Sequence, residues 1–151
     1  MNYSEVKPNE CECFECMAEV YNLFAVFNAP SNVIFVDQFI SNIDKFKDVF
    51  KRYFKSENIF FSCKSNKSIA LLSYSAKNNC GIEVSSNYEL EKALKNTNKI
   101  IASGPGKEKI YLNNAINNDV IISVDDIAEL NEIKKINKPT KVLLRLSDLL
   151  G

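Results

Sequence analysis

Short apolar, β-rich runs recur along most of this chain at intervals of roughly twenty residues, each separated from the next by a helical stretch, and that rhythm narrows the fold more than any other feature. The runs start near Asn58, Gly81, Lys99, Val120 and Lys141. They hold Ile59-Phe60-Phe61, Ile82-Glu83-Val84, Ile100-Ile101-Ala102, Val120-Ile121-Ile122 and Val142-Leu143-Leu144. Between them, Ser68 to Asn78, Asn87 to Lys95, Glu108 to Asn117 and Asp126 to Lys135 read as helices. Asn87 and Asp126 are expected N-caps, with Leu90, Ala93 and Leu94, and Ile127 and Leu130, as the buried sides. Strand–helix units in series imply a parallel α/β sheet with right-handed crossovers.

Upstream, Val33-Ile34-Phe35-Val36 is bounded by Pro30-Ser31-Asn32 and Asp37 and reads as a further strand. Phe39, Ile43, Phe46, Phe50 and Phe54 then recur at three- and four-residue spacing, one face of an amphipathic helix expected to be core. Five strands fit a complete flavodoxin-like sheet, and equally the first five of an eight-stranded barrel that typically needs ~250 residues. Periodicity leaves both open. In either, ligands sit outside the C-terminal strand ends. There the chain places Lys64, Ser65 and Asn66; Ser85 and Ser86; Ser103, Gly104, Pro105 and Gly106; Asp125; and Arg145 with Ser147. Glu83 lies within its strand, where it is expected to face a barrel interior. Gly104-Pro105-Gly106-Lys107 lacks the spacing of a phosphate-binding P-loop and reads as a tight turn.

The 151 residues, 46% hydrophobic and 25% charged, are those of one globular domain. Nineteen basic residues balance nineteen acidic ones, which argues against nucleic acid as a partner and favours association. No apolar run is long enough to span a bilayer, and Met1-Asn2-Tyr3-Ser4-Glu5 lacks the order of a signal peptide, so the expected location is cytoplasmic. The chain has no histidine, which excludes Ser-His-Asp and Cys-His catalysis and the usual His-based zinc sites. Five cysteines, an odd number, are no disulfide framework. Cys11, Cys13 and Cys16 have a thiolate-ligand spacing, but no fourth ligand is near, and Glu12 and Glu15 raise the thiol pKa values. Residues 1–16 are therefore expected to be a mobile acidic segment, not a metal site, with one folded domain over residues 17–151.

Lys64 is the residue with most chemical content. It follows Ile59-Phe60-Phe61-Ser62-Cys63, so its stem emerges from the sheet with the ammonium at the rim. A desolvated lysine has a lowered pKa and can form a Schiff base with an aldehyde cofactor. On this residue alone, an ordinary snorkelling lysine is the alternative.

The words around it are more specific. Phe60-Phe61-Ser62-Cys63-Lys64-Ser65-Asn66 resembles the F-Y-A-x-K-A-N segment of the fold-type III pyridoxal-phosphate (PLP) decarboxylases, the ornithine, arginine and diaminopimelate decarboxylases related to alanine racemase. The likeness continues in order. Val33-Ile34-Phe35-Val36-Asp37 resembles L-Y-V-Y-D, and Ile82-Glu83-Val84-Ser85-Ser86-Asn87-Tyr88-Glu89-Leu90 resembles D-V-x-S-x-x-E-L. Lys99-Ile100-Ile101-Ala102-Ser103-Gly104-Pro105-Gly106-Lys107 is similar to I-I-F-T-G-P-G-K. Ile121-Ile122-Ser123-Val124-Asp125 resembles I-x-V-D-S, and Val142-Leu143-Leu144-Arg145-Leu146 resembles V-L-L-R-V. Together these motifs cover about residues 17–148.

The resemblance implies a partial (β/α)8 TIM-type barrel of about five parallel strands, without the C-terminal β-domain. It implies PLP as cofactor, Lys64 as the lysine that binds it covalently, Glu83 in place of an aspartate near it, and Arg145 on the cofactor and substrate side. The family's ring-stacking histidine, glycine-rich phosphate loop and pyridine-pairing glutamate belong to a part of the barrel beyond these motifs. The expected function is thus the N-terminal half of an amino-acid decarboxylase of ornithine, diaminopimelate or arginine type, in polyamine or lysine biosynthesis. It would be active only if completed by another chain, and the expected partner is a complementing chain or, in a homo-oligomer, further copies of itself. A non-catalytic remnant or regulatory subunit, and a flavodoxin-like binding module, are the alternatives.

Overall fold

The computed structural model describes residue 22, residues 33–55 and residues 58–146. Helix α1, Val36–Tyr53, precedes a strictly alternating series: β1 Phe60–Ser62, α2 Ile69–Lys77, β2 Gly81–Val84, α3 Asn87–Leu94, β3 Ile100–Ala102, α4 Lys109–Asn117, β4 Ile121–Val124, α5 Ile127–Lys135 and β5 Val142–Leu144. All four strand pairs are parallel, and the sheet order is β1-β2-β3-β4-β5. That order decides between the two architectures. A doubly wound sheet reverses direction at a switch point. Here every crossover steps the same way, so right-handed connections put all the helices on one face, as in an arc of a (β/α)8 barrel.

Strand alternation sorts the side chains. Ile82, Val84, Ile100, Ala102, Ile122 and Val124 are buried against the helices, packed with Leu72, Leu90, Ala93, Leu112, Ala115 and Ile116. The helices end on a repeated device. Asn79 after α2 and Asp119 after α4 have φ of 51° and 56°. The next residues, Cys80 and Val120, are buried and donate their N–H groups back to Ser75 O and Ala115 O. Both are Schellman caps, in which a left-handed residue satisfies carbonyls the helix leaves open.

Four local expectations need correction. Val33, Ile34 and Phe35 pair with no strand among the described residues, and Val36 opens α1. The run's apolar residues continue the helical period of Phe39 and Ile43, and so short a run is ambiguous between strand and helix start. The Phe face of α1 is helical as expected but only Ile43 on it is buried. Phe39 packs edge-on against Phe61 at 5.1 Å and Phe50 stacks on Phe54 at 4.4 Å, while Phe46 stays 66% exposed. Among the described residues α1 packs mainly beside α2, with Phe39 reaching β1, and these neighbours do not cover the whole stripe. The α3 N-cap is Ser86, whose hydroxyl accepts from Glu89 N, so Asn87 is the first helical residue. Asp126 does cap α5, but Ile127 beside it is exposed because Glu129, Leu130 and Ile133 form the inward side.

Candidate functional site

The face of the sheet away from the helices ends in five polar side chains, one from each strand. Strand alternation puts Ser62, Glu83, Ser103, Asp125 and Arg145 on this face, opposite the buried set, and Lys64 follows in the turn after β1. The ladder continues past the strand ends: Cys63, Ser103 and Arg145 donate their N–H groups to Glu83 O, Val84 O and Val124 O at 2.9, 2.7 and 3.0 Å. Backbone register therefore places Glu83, Ser103 and Arg145, and the turn closed by Ser65 N–H to Ser62 O carries Lys64.

Glu83 stands at the centre of one half. Ser103 Oγ donates to its Oε1 at 2.6 Å. Burial acts to raise its carboxyl, but the hydroxyls of Ser103 and Ser62 and the charges of Lys64 and Arg145 outweigh that and hold it below the ordinary glutamate value. Lys64 is exposed in the turn after β1, so the described residues do not desolvate it as the sequence reading expected. Cys63 beside it points the other way and is buried, and desolvation with the Glu89 and Glu83 charges pushes its thiol up to about 11.

The other half centres on Asp125. Its Oδ1 lies 3.5 Å from Arg145 Nη1 and its Oδ2 lies 3.7 Å from Lys107 Nζ. Lys107 leaves the loop after β3 and turns inward until its side chain is 1% exposed. Its Nζ donates to Ser123 O at 2.6 Å and to Glu129 Oε1 at 2.8 Å. Glu129 Oε2 in turn accepts from Asp125 N at 2.9 Å. The same construction occurs forty residues earlier: Lys67 lies 3.1 Å from Glu89 Oε1, and Glu89 Oε2 accepts from Ser85 N at 2.9 Å.

Of the expected site residues, Lys64, Glu83 and Arg145 share one face and one field. Sequence reasoning had Gly104-Pro105-Gly106-Lys107 as a turn and passed over the buried Lys107 and its partner Glu129. The signal was present as a repeat, Lys67 to Glu89 and Lys107 to Glu129, each pair twenty-two apart. Ser147 and the cysteines at 11, 13 and 16 lie outside the described residues. Among the described residues no group of His, Cys, Asp or Glu is arranged to hold a metal ion, and no helix is long and apolar enough to cross a membrane.

This geometry has close relatives. Residues 36–148 match the family model described as pyridoxal-dependent decarboxylase, pyridoxal binding domain. A diaminopimelate decarboxylase of Campylobacter jejuni is 30% identical over 125 residues, covering 80% of this chain and 31% of its own length. The diaminopimelate decarboxylase of M. jannaschii in complex with L-lysine superposes with a TM-score of 0.76 at 28% identity, over 83% of this chain and 32% of that one. Lysine decarboxylase from Selenomonas ruminantium shares the fold, with a TM-score of 0.74 at 22% identity over 94% and 38% of the two chains. The chain spans about a quarter to a third of the length of the curated relatives it matches. By its matched residues, its strand order and its superposition, the chain belongs to the pyridoxal-dependent decarboxylases and corresponds to part of their pyridoxal binding domain.

Proposed function

We propose that this chain is the lysine-bearing N-terminal half of an amino-acid decarboxylase, that Lys64 holds the cofactor, and that activity requires the rest of the barrel. The observation that supports this is the row of five polar strand ends on one face, with an exposed lysine at its head. Those residues fit the cofactor. Lys64 Nζ, at a strand end, is accessible to an aldehyde, and Glu83 and Arg145 place one negative and one positive charge on the same face. When bound, pyridoxal phosphate supplies the electron sink that takes up the pair left by a departing carboxylate.

The protein's own part is positional. Glu83, held below the ordinary glutamate value by the hydroxyls of Ser103 and Ser62 and the charges of Lys64 and Arg145, is a fixed negative charge at the cofactor face. Arg145 offers a planar donor fork to a carboxylate or phosphate oxygen. Three further strands must cover the inner face. Leu143 and Leu144 are 48% and 67% exposed at the β5 end, and α1 carries its bare Phe46 at the other. An arc with two open edges associates with whatever closes it. The closing part is the remainder of the barrel, from this polypeptide or another, and the substrate is an amino acid of the ornithine, arginine, lysine or diaminopimelate class. We place the protein in the cytoplasm, in polyamine or lysine biosynthesis.

The test is complementation. Purified chain is mixed with a fragment of the C. jejuni relative that begins after the region of likeness, and carbon dioxide release is followed with lysine, ornithine, arginine and diaminopimelate. Release with one of them, lost in Lys64→Ala, supports the proposal. A complex that forms and binds PLP through other lysines rejects it in favour of a non-catalytic subunit.

A further inference from the structure

The rim residues form a row of alternating charge that runs beyond the cofactor face into the core: Lys64, Glu83, Arg145, Asp125, Lys107, Glu129. Its outer members are solvated, since Lys64 is exposed and the Arg145 side chain is 65% exposed. Its inner members are not. The Lys107 and Glu129 side chains are 1% and 6% exposed, and a buried pair of this kind is held by geometry and hydrogen bonds on both sides. Asp125 is the junction. Its backbone N–H is fixed by Glu129 Oε2, and its Oδ2 is buried with no hydrogen-bond donor, facing the Lys107 ammonium at 3.7 Å. Its Oδ1 is left for Arg145.

We infer that Lys107 is a positioning residue for Arg145, acting through Asp125. Lys107 does not reach the inner face itself, because its three polar contacts, Ser123 O, Glu129 and Asp125, use up its ammonium below the rim. It anchors one oxygen of Asp125 so that the other presents a fixed acceptor to an otherwise long and solvated side chain. Arg145 is thereby held beside Asp125, and its charge helps to lower the Glu83 carboxyl on β2. The consequence for catalysis rests on the proposed function, but the positioning does not. Its test is made without PLP, so the failure of one is distinguishable from the failure of the other.

The chain has two arginines, Arg52 on α1 and Arg145, so its arginine Nε–H spectrum holds an internal reference. Order parameters of the two Nε–H bonds are measured by 15N relaxation in the wild type and in Lys107→Met, Lys107→Arg, Asp125→Asn and the Lys107→Met/Asp125→Asn double variant. Arg145 is expected to be more ordered than Arg52 in the wild type. It should fall to the Arg52 value in Lys107→Met, keep its order in Lys107→Arg, and fall in Asp125→Asn with no further loss in the double variant. A lysine that only ties its loop to α5 would lower stability and leave Arg145 ordered, and that result overturns the inference. So does an Arg145 already as mobile as Arg52 in the wild type. Should Lys107→Met fail to fold, Asp125→Asn keeps the buried Lys107–Glu129 pair and decides alone: unchanged Arg145 order in it rejects the inference.

Discussion

Truncating Leu90 to alanine removes three carbons from a side chain that is fully buried between α3 and the sheet. At ~0.8 kcal/mol per buried methylene the transfer loss is about 2.4 kcal/mol, and the cavity left behind brings the total to about 2–5 kcal/mol. Truncating Phe46, a larger side chain on the stripe that periodicity marks as core, removes a ring that is 66% exposed. Its expected cost is within about 0.5 kcal/mol, as for other surface changes. With no tryptophan in the chain, unfolding is followed in urea by far-ultraviolet circular dichroism, at protein concentrations low enough that the midpoint no longer depends on them. Taking an m-value of about 1–2 kcal/mol per molar, Leu90→Ala should lower the midpoint by about 1–5 M and Phe46→Ala by less than about 0.5 M. Equal shifts, or a larger one for Phe46, would refute the division of the molecule into a buried helix–sheet layer and an uncovered α1 face.

Asn79→Ala places an alanine at a φ of 51° and should cost about 1–2 kcal/mol by urea titration, whereas Asn79→Gly should cost little. Glu83 and Glu89 both lie below their ordinary value of 4.5, so the stability they confer is complete above that pH and is lost as the pH falls through their lower folded values. Glu89→Gln should therefore lower the urea midpoint at pH 7 but shrink the difference from wild type near pH 3; an undiminished difference would show that Glu89 is not held ionised. With its thiol near 11 and buried, Cys63 should carry roughly a hundredth of the thiolate of an ordinary cysteine at pH 8, so peptide-resolved iodoacetamide labelling should be slow until urea unfolds the chain.

Much of this molecule could be read before its coordinates. The five strand cores and four following helices fall where the alternating runs put them, because strands and helices of an α/β unit are short and punctuated by their own caps. Glu83 could be placed towards a barrel interior because strand parity is a local property. What could not be read depends on neighbours. The Phe stripe of α1 has the right spacing for core, but burial requires an element to pack on, and among the described residues α1 has chiefly α2 beside it. Lys107 looks like any loop lysine until the register of β3 and β4 brings Glu129 within 2.8 Å. The choice between flavodoxin-like sheet and barrel rests on strand order, a long-range fact that periodicity does not contain.

Trapping the cofactor on its lysine tests the central claim most directly. The chain is incubated with less than one equivalent of pyridoxal phosphate, reduced with borohydride and digested, and the pyridoxyl group is located by mass spectrometry, with Lys64→Ala alongside. The account predicts a label concentrated on Lys64 and lost in the variant, at a strand end among Glu83, Ser103, Asp125 and Arg145. A label scattered over the seventeen lysines, and unchanged by Lys64→Ala, would contradict it.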